Sequence, residues 1–222
     1  MEGTGEIMPT EDLAMSFRKV TRAGSLRIAR EGFELARKRR GSVTAVRKAN
    51  VLRISDGLFL ECVREVAGEF PDVAYRDELV DAAAALLLRD ASQFDVIVTT
   101  NMFGDILSDE ATELSGSLGL AASLNTGVDH AMAQAQHGSA PSLAGQNVAN
   151  PASLIGSSAM LFSWLGRRYQ QPELEHISAA IQNAIAEAVR EPQTRTKDLG
   201  GTCGTKEFAE IITKLALNSV SS

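Results

Sequence analysis

Two aspartates four residues apart carry the strongest chemical signal in this sequence. In Asn101-Met102-Phe103-Gly104-Asp105-Ile106-Leu107-Ser108-Asp109, Asp105 and Asp109 stand at i and i+4, so a helix presents both carboxylates on one face. Carboxylates that close repel and raise each other's pKa unless a cation lies between them. Mg²⁺ or Mn²⁺ suits an all-oxygen site that also takes up substrate oxygens. The plain alternative is a pair of solvated helix acids, one of them near a helix N-terminus where acids are favoured. The Gly104 turn and the flanking Asn101 point beyond that alternative.

Lys48 is a second candidate, at the end of the strand-like run Val43-Thr44-Ala45-Val46-Arg47. A lysine held in a cleft and desolvated has a lowered pKa and can shuttle protons. An ordinary surface lysine fits the same local sequence, and Asp81 taken alone reads as a surface acid. A third candidate is His137-Gly138-Ser139-Ala140-Pro141 with Ser142 and Asn150. Glycine there permits close backbone approach to a ligand, and Asn150 offers both a donor and an acceptor to an adenine edge. A polar surface loop ending in a capping Asn is the alternative. The chain has no GxGxxG and no GxxxxGK followed by Ser or Thr, so a Rossmann or P-loop dinucleotide site is not supported.

The elements that must position these residues alternate between helix and strand, which implies α/β architecture. Ser25 caps a helix to about Arg40, with Ile28, Ala29, Phe33 and Ala36 on its apolar stripe and Gly41 ending it. The basic run Arg37 to Arg40 reads as cations at the negative end of that helix rather than as a nucleic-acid patch. Ser42–Val46 and Val73–Tyr75 read as short strands, and Asp56–Phe70 and Asp77–Arg89 as helices. Phe94–Thr100 is a β-branched run expected to be a buried parallel strand. The Asp105–Ser115 helix follows it, where open α/β sheets place their ligands. Gly116–Gly127 is the expected crossover between two lobes, and His137–Asn150 a loop. Asn150 and Pro151 start a helix that runs to about Leu165 and stops at Gly166. Glu173–Arg190 is amphipathic along Leu174, Ile177, Ile181, Ala184 and Ala188, and Glu207–Leu217 is the last helix.

Composition sets the outer bounds. The 222 residues are 44% hydrophobic and 23% charged, with net charge -6. A sizeable core is affordable, and a general nucleic-acid binder would carry the opposite sign. Two cysteines without CxxC spacing argue against a disulfide framework or a zinc site. The acidic start Met1 to Glu6 lacks the apolar stretch of a signal peptide. The longest apolar run, Ala82 to Leu88, is too short to cross a bilayer. A cytoplasmic location, or another reducing compartment, is expected.

Four stretches together resemble one family. SVTAVRKANVLRISDGLFLECVREVA, FDVIVTTNMFGDILSDEATELSGSLGL, HGSAPSLAGQNVANPAS and TKDLGG are similar, in order and spacing, to the isocitrate/isopropylmalate dehydrogenase family. These metal-dependent β-decarboxylating enzymes oxidise a 2-hydroxy acid bearing a 3-carboxylate, then lose CO₂. The first and last stretches look nearest to its NAD-dependent isocitrate branch. The resemblance implies an α/β fold of two lobes with its N-terminal part absent. Residues 1–115 would belong to a dimer-forming, metal- and substrate-binding lobe, and 116–222 to a cofactor lobe. It implies Asp105 and Asp109 as metal ligands. Asp81 would be the third ligand, and Lys48 the catalytic lysine, both reaching a homodimeric partner's site. Asn50, His137, Gly138, Ser139, Ala140, Pro141, Ser142, Asn150 and Asp198 would line the cofactor. NAD-using members usually carry an acid where this chain has Ser142, and NADP-using relatives a basic residue, so NAD is favoured and NADP possible. Gln134 replaces a glutamate usual in the loop before His137. The arginines that grip substrate carboxylates, and a tyrosine that assists protonation, would lie in the absent segment. A partner or regulatory subunit without turnover is the alternative, as are 3-isopropylmalate or tartrate as substrate.

Overall fold

A computed structural model describes residues 4–220. Met1 to Gly3, the start of the acidic N-terminal stretch, and the last two serines lie outside the described residues. The chain divides into two compact units, one ending at Ala111 and the other beginning at Thr112.

The first unit is built on a parallel sheet. Its strands are β3 (Ser42–Arg47), β4 (Ala74–Leu79) and β5 (Val96–Thr99), in the order β4-β3-β5. The helices are α1 (Arg22–Arg37), α2 (Ser55–Glu69), α3 (Val80–Asp90) and α4 (Asn101–Ser115), the last running past the unit's end. Alternation along the strands sorts the two faces. Val43, Ala45, Val96 and Val98 pack with Ala29, Phe33, Phe59 and Val63 from α1 and α2. Val46 and Ile97 point the other way, to Ala83, Leu87 and Leu107 from α3 and α4. Right-handed crossovers account for this layering: α2 carries the chain from β3 to β4, and α3 carries it back across β3 to β5. Burying one large side chain such as Phe33 contributes about 1.5–3 kcal/mol.

Several boundaries differ from expectation, each for a local reason. Thr21, not Ser25, caps α1, accepting from the Gly24 amide at 3.2 Å. Ser25 instead joins the buried stripe with Ala29, Gly32, Phe33 and Ala36, while Ile28 is exposed. Asp77 lies in β4 rather than in a helix, opposite Ala45 in the parallel ladder, and its carboxylate takes Arg47 of β3 and Arg64 of α2. The basic run is bound to acids of its own unit: Arg37 grips Asp72 with two bonds of 2.6 and 2.7 Å, and Arg39 reaches Asp95 at 3.0 Å. A hairpin, β1 (Thr4–Thr10) and β2 (Leu13–Arg18), was not expected from the pattern. Its apolar residues Ile7, Leu13, Met15 and Phe17 are all exposed, so no core dictates a readable periodicity.

The second unit places a hairpin, β6 (Ala122–Thr126) and β7 (Ala131–Ala135), against α5 (Ala152–Tyr169), which packs on α6 (Pro172–Ala188). The last helix is α7 (Thr205–Val220). The expected crossover stretch thus contains a strand. Two fully buried serines of α5 hold the hairpin: Ser157 Oγ accepts from the Ser123 amide at 2.9 Å and donates to the Gln134 carbonyl at 2.8 Å. Ser153 Oγ donates to the Ala121 carbonyl. Gly166 does not stop α5, which continues to Tyr169 and turns at Gln170 in the left-handed region (φ 56°). Gly166 is needed for closeness, since a Cβ there would sit 2.9 Å from the Gln171 carbonyl oxygen. Among the described residues, no helix is long and apolar enough to cross a membrane.

Gly32 does the same for α1 and β5: a Cβ there would stand 2.2 Å from Val98 Cγ2. Gly32→Ala gains helix propensity but overpacks the sheet. Urea denaturation is expected to show a net loss of about 1–3 kcal/mol, and an unchanged midpoint would mean that α1 does not seat on β5 as described.

Candidate active site

Parallel pairing brings the three candidate segments of the first unit to one edge. Arg47 pairs with Leu79 and Val46 with Thr99, so β3, β4 and β5 stop almost level. Lys48 follows β3, Asp81 follows β4 and Asn101 follows β5 by one residue beyond Thr100. Crevices beyond the carboxyl ends of such strands, where the strand order reverses, are where open α/β sheets bind ligands.

Lys48 is held by both of its backbone groups. Its N–H donates to Asp56 Oδ2 at 2.6 Å, and its carbonyl accepts from the Val51 and Leu52 amides at 3.0 and 2.8 Å. Its half-buried side chain points Nζ at Asp81 Oδ1, 2.6 Å away. That bond holds the Asp81 carboxyl below the usual carboxylate range, although the group is largely open to water. Asn50 lies exposed in the turn that follows.

The helix carrying the paired aspartates starts earlier than expected. α4 begins at Asn101, so Gly104 lies inside the helix rather than in a turn, and Asp105 is past the first turn. Gly104 fits there because β5 is close: a Cβ would meet Thr99 Cγ2 at 3.3 Å. Phe103 and Leu107 anchor the inner face, and Asp105 and Asp109 lie exposed one turn apart. Among the described residues no group of three His, Cys, Asp or Glu side chains comes together to hold a metal. Asp81 of the same chain therefore does not join Asp105 and Asp109. Two exposed carboxylates on one helix face fit a hard divalent cation that takes its remaining ligands from elsewhere. An open, largely apolar hollow of about 310 Å³, lined by Leu87, Phe94, Ile97 and Leu107 with Asp95, Thr99 and Ser108, contains none of the expected site residues.

Sequence reasoning missed the group beneath Lys48. Asp56 is fully buried in the first turn of α2, paired with Arg18. Arg18 also donates to Thr100 Oγ1 at 3.0 Å and stacks over the Phe103 ring. Asp56 reads in the sequence as a helix-opening acid, and nothing near Arg18 marks it.

In the second unit, His137 to Ser142 form an exposed loop. His137 Nδ1 lies 2.8 Å from the Gly138 carbonyl, and Ala140 adopts the left-handed region (φ 42°). The Ser142 carbonyl accepts from Gln146 Nε2 at 2.5 Å. The far end of the loop is tied to α7, where Asn147 Oδ1 accepts from the Lys206 amide at 3.0 Å. Asn150 is buried. Its Oδ1 accepts from the Ala152 amide at 2.9 Å, and its Nδ2 donates to Asp198 Oδ2 at 3.0 Å. The helix proper starts at Ala152, with Pro151 before it rather than at its first position. Ser117 also donates to Asp198. Burial pushes the Asp198 carboxyl up, but the bonds from Ser117 and Asn150 outweigh it and hold the group below its usual range.

A depressed carboxyl pKa stabilises the fold above the unfolded-state value, and that stabilisation disappears as pH falls through the folded-state value. Asp198→Asn is therefore expected to lower Tm near neutral pH and to converge with the parent protein in acid. A Tm difference that stays constant across the carboxylate range would show that Asp198 is not held this way.

The sequence profile described as isocitrate/isopropylmalate dehydrogenase matches residues 2–212. The 3-isopropylmalate dehydrogenase of Archaeoglobus fulgidus is 43% identical over 205 residues, covering 92% of this chain and 60% of that protein. The homoisocitrate dehydrogenase of Methanocaldococcus jannaschii is 46% identical over 202 residues, covering 90% and 56%. The mitochondrial NAD isocitrate dehydrogenase catalytic subunit 5 of Arabidopsis thaliana is 43% identical over 199 residues, covering 89% and 51%. The crystal structure of isocitrate dehydrogenase from Methylococcus capsulatus superimposes with a TM-score of 0.85 at 40% identity, covering 97% of this chain and 63% of that one. The chain thus spans about half to two thirds of the length of these relatives.

Proposed function

The chain belongs to the isocitrate/isopropylmalate dehydrogenase family, and from that premise we propose that it serves the NAD-linked oxidative decarboxylation of a 2-hydroxy acid bearing a 3-carboxylate. Isocitrate is the first substrate to test, with 3-isopropylmalate, homoisocitrate and tartrate next. The relatives' names divide among three of these acids at similar identity, so closeness in sequence does not select the isocitrate branch. NAD is the favoured cofactor because Ser142 offers a hydroxyl and no basic residue stands there for a 2′-phosphate, and NADP is the alternative because no acid stands there to repel one.

The observation that carries the reading is the Lys48–Asp81 contact. It joins two residues far apart in sequence at the level ends of parallel strands, next to the segment that leads to Asp105 and Asp109. In the proposed dimer, Asp105 and Asp109 of one copy and Asp81 of the other would hold Mg²⁺ or Mn²⁺. When bound, the metal supplies Lewis acidity to substrate oxygens and NAD supplies the hydride acceptor. Lys48 Nζ takes the proton from the substrate hydroxyl and returns one as the enol is protonated. His137 to Ser142, Asn150 and Asp198 bind the adenosine end of NAD, with Asn50 near the nicotinamide. The lobes of this assembly are residues 1–115 and 116–222.

A homodimer accounts for the exposed hairpin. Ile7, Leu13, Met15 and Phe17 share one face of β1 and β2 by their register, and each is 43–53% exposed. A two-stranded hairpin is marginal by itself, and an apolar face of this kind marks an interaction surface. A second copy of the chain covers it in this reading.

Purified protein with Mn²⁺ and NAD is expected to form NADH from one of the four acids, and chelation is expected to stop it. Lys48→Ala should lower kcat by about 10²–10⁴-fold. An undiminished kcat in Lys48→Ala contradicts the assignment, and Mn²⁺ uptake without NADH formation would mark the chain as a non-catalytic partner subunit.

A further inference from the structure

Asp56 is fully buried, at 0% exposure, and among the described carboxylates only the Asp95 side chain, at 2%, is comparably enclosed. Removing a carboxylate from water is costly unless partners compensate. The partners of Asp56 are specific. One oxygen takes the Lys48 amide and the other takes the Arg18 guanidinium, while the N-terminus of α2 adds its dipole. A plain structural tie between β3 and α2 could be apolar. A charge is instead set under the residue whose side chain reaches Asp81.

The other end of the network is equally placed. Arg18 closes β2, and its guanidinium donates to Thr100 and lies over Phe103, at the start of α4. One side chain therefore links the first turn of α2, through Asp56, to the segment after β5. Lys48 has its N–H fixed by Asp56 and its carbonyl fixed by Val51 and Leu52, which leaves its side chain a restricted arc in which to reach Asp81.

We propose that Asp56 and Arg18 are positioning residues, which aim the Lys48 side chain by clamping its backbone amide at the end of β3. The proposal rests on the reading of Lys48 as the proton-carrying group. Neither residue touches substrate or metal in this account. Their removal should therefore lower the chemical step and leave binding nearly intact.

The test uses the full chain carrying Asp56→Asn, Arg18→Ala or Arg18→Lys, each checked for native circular dichroism. In turnover assays, the first two variants are expected to lose about 10- to 100-fold in kcat. KM for the hydroxy acid and affinity for Mn²⁺ should stay within about threefold, and Arg18→Lys should recover most of the rate. Independently of turnover, lysines are reductively ¹³C-methylated and the Lys48 signal is assigned by its loss in Lys48→Arg. That signal is expected to move toward the exposed lysines in Asp56→Asn and Arg18→Ala. Folded variants with parental kcat and an unmoved Lys48 signal overturn the proposal, as does a rise in KM that matches the fall in kcat. If the parent protein shows no turnover, the function proposed above fails alone and the Lys48 signal decides this point. If Asp56→Asn does not fold, Arg18→Ala, which removes a side chain only partly buried, decides it.

Discussion

A parallel ladder dictates where its strands stop. Each strand of the β4-β3-β5 sheet pairs residue for residue with β3, and the three finish almost level. Whatever follows them must emerge side by side. Lys48, Asp81 and the segment leading to Asp105 emerge there, although Lys48 lies 33 positions before Asp81 and Asp81 lies 20 before Asn101. The crossover rule makes the same point from another side. Because α2 runs from β3 to β4 and α3 runs back across β3 to β5, they occupy opposite faces rather than the carboxyl end of the sheet. Chemistry at that edge follows from hydrogen-bond register and handedness.

Electrostatics refine what topology places. Lys48 and Asp81 form a solvent-accessible ion pair of small intrinsic worth, so orientation must come from beneath. Asp56 and Arg18 supply it with a buried, charge-assisted contact of the strong class. The second unit repeats the logic around Asp198, which gathers Ser117 and Asn150 while Asn150 caps α5. In both units a carboxylate outside the strongest sequence motif organises residues within or beside one.

Much of this was legible beforehand. Strands β3 and β5 and the helices packed on them follow from β-branched runs and helical spacing, because one buried face imposes a period. The i, i+4 spacing of Asp105 and Asp109 survives intact, since it depends only on helix geometry. What escaped reading had no periodicity to read. The β1–β2 hairpin lies against no core, β6 and β7 are held by serine hydroxyls rather than by an apolar alternation, and Asp56 looks like any helix-opening acid until Arg18 is brought to it from 38 positions away. Asp81 was an ordinary acid until β4 placed it against Lys48. Long-range contacts of this kind have no local signature. The family resemblance carried what spacing could not, and the profile match bears out the family without choosing its substrate.

The central claim is that Asp105 and Asp109 of one copy share a divalent cation with Asp81 of another. Co-expression of an Asp105→Asn chain with an Asp81→Asn chain, followed by calorimetric Mn²⁺ titration of the mixed dimers, tests it most directly. In a mixed dimer one site loses both groups and the other keeps all three aspartates, so the mixture is predicted to bind Mn²⁺ tightly where each variant alone does not. Equal binding by the separate variants and the mixture would contradict a site shared between copies.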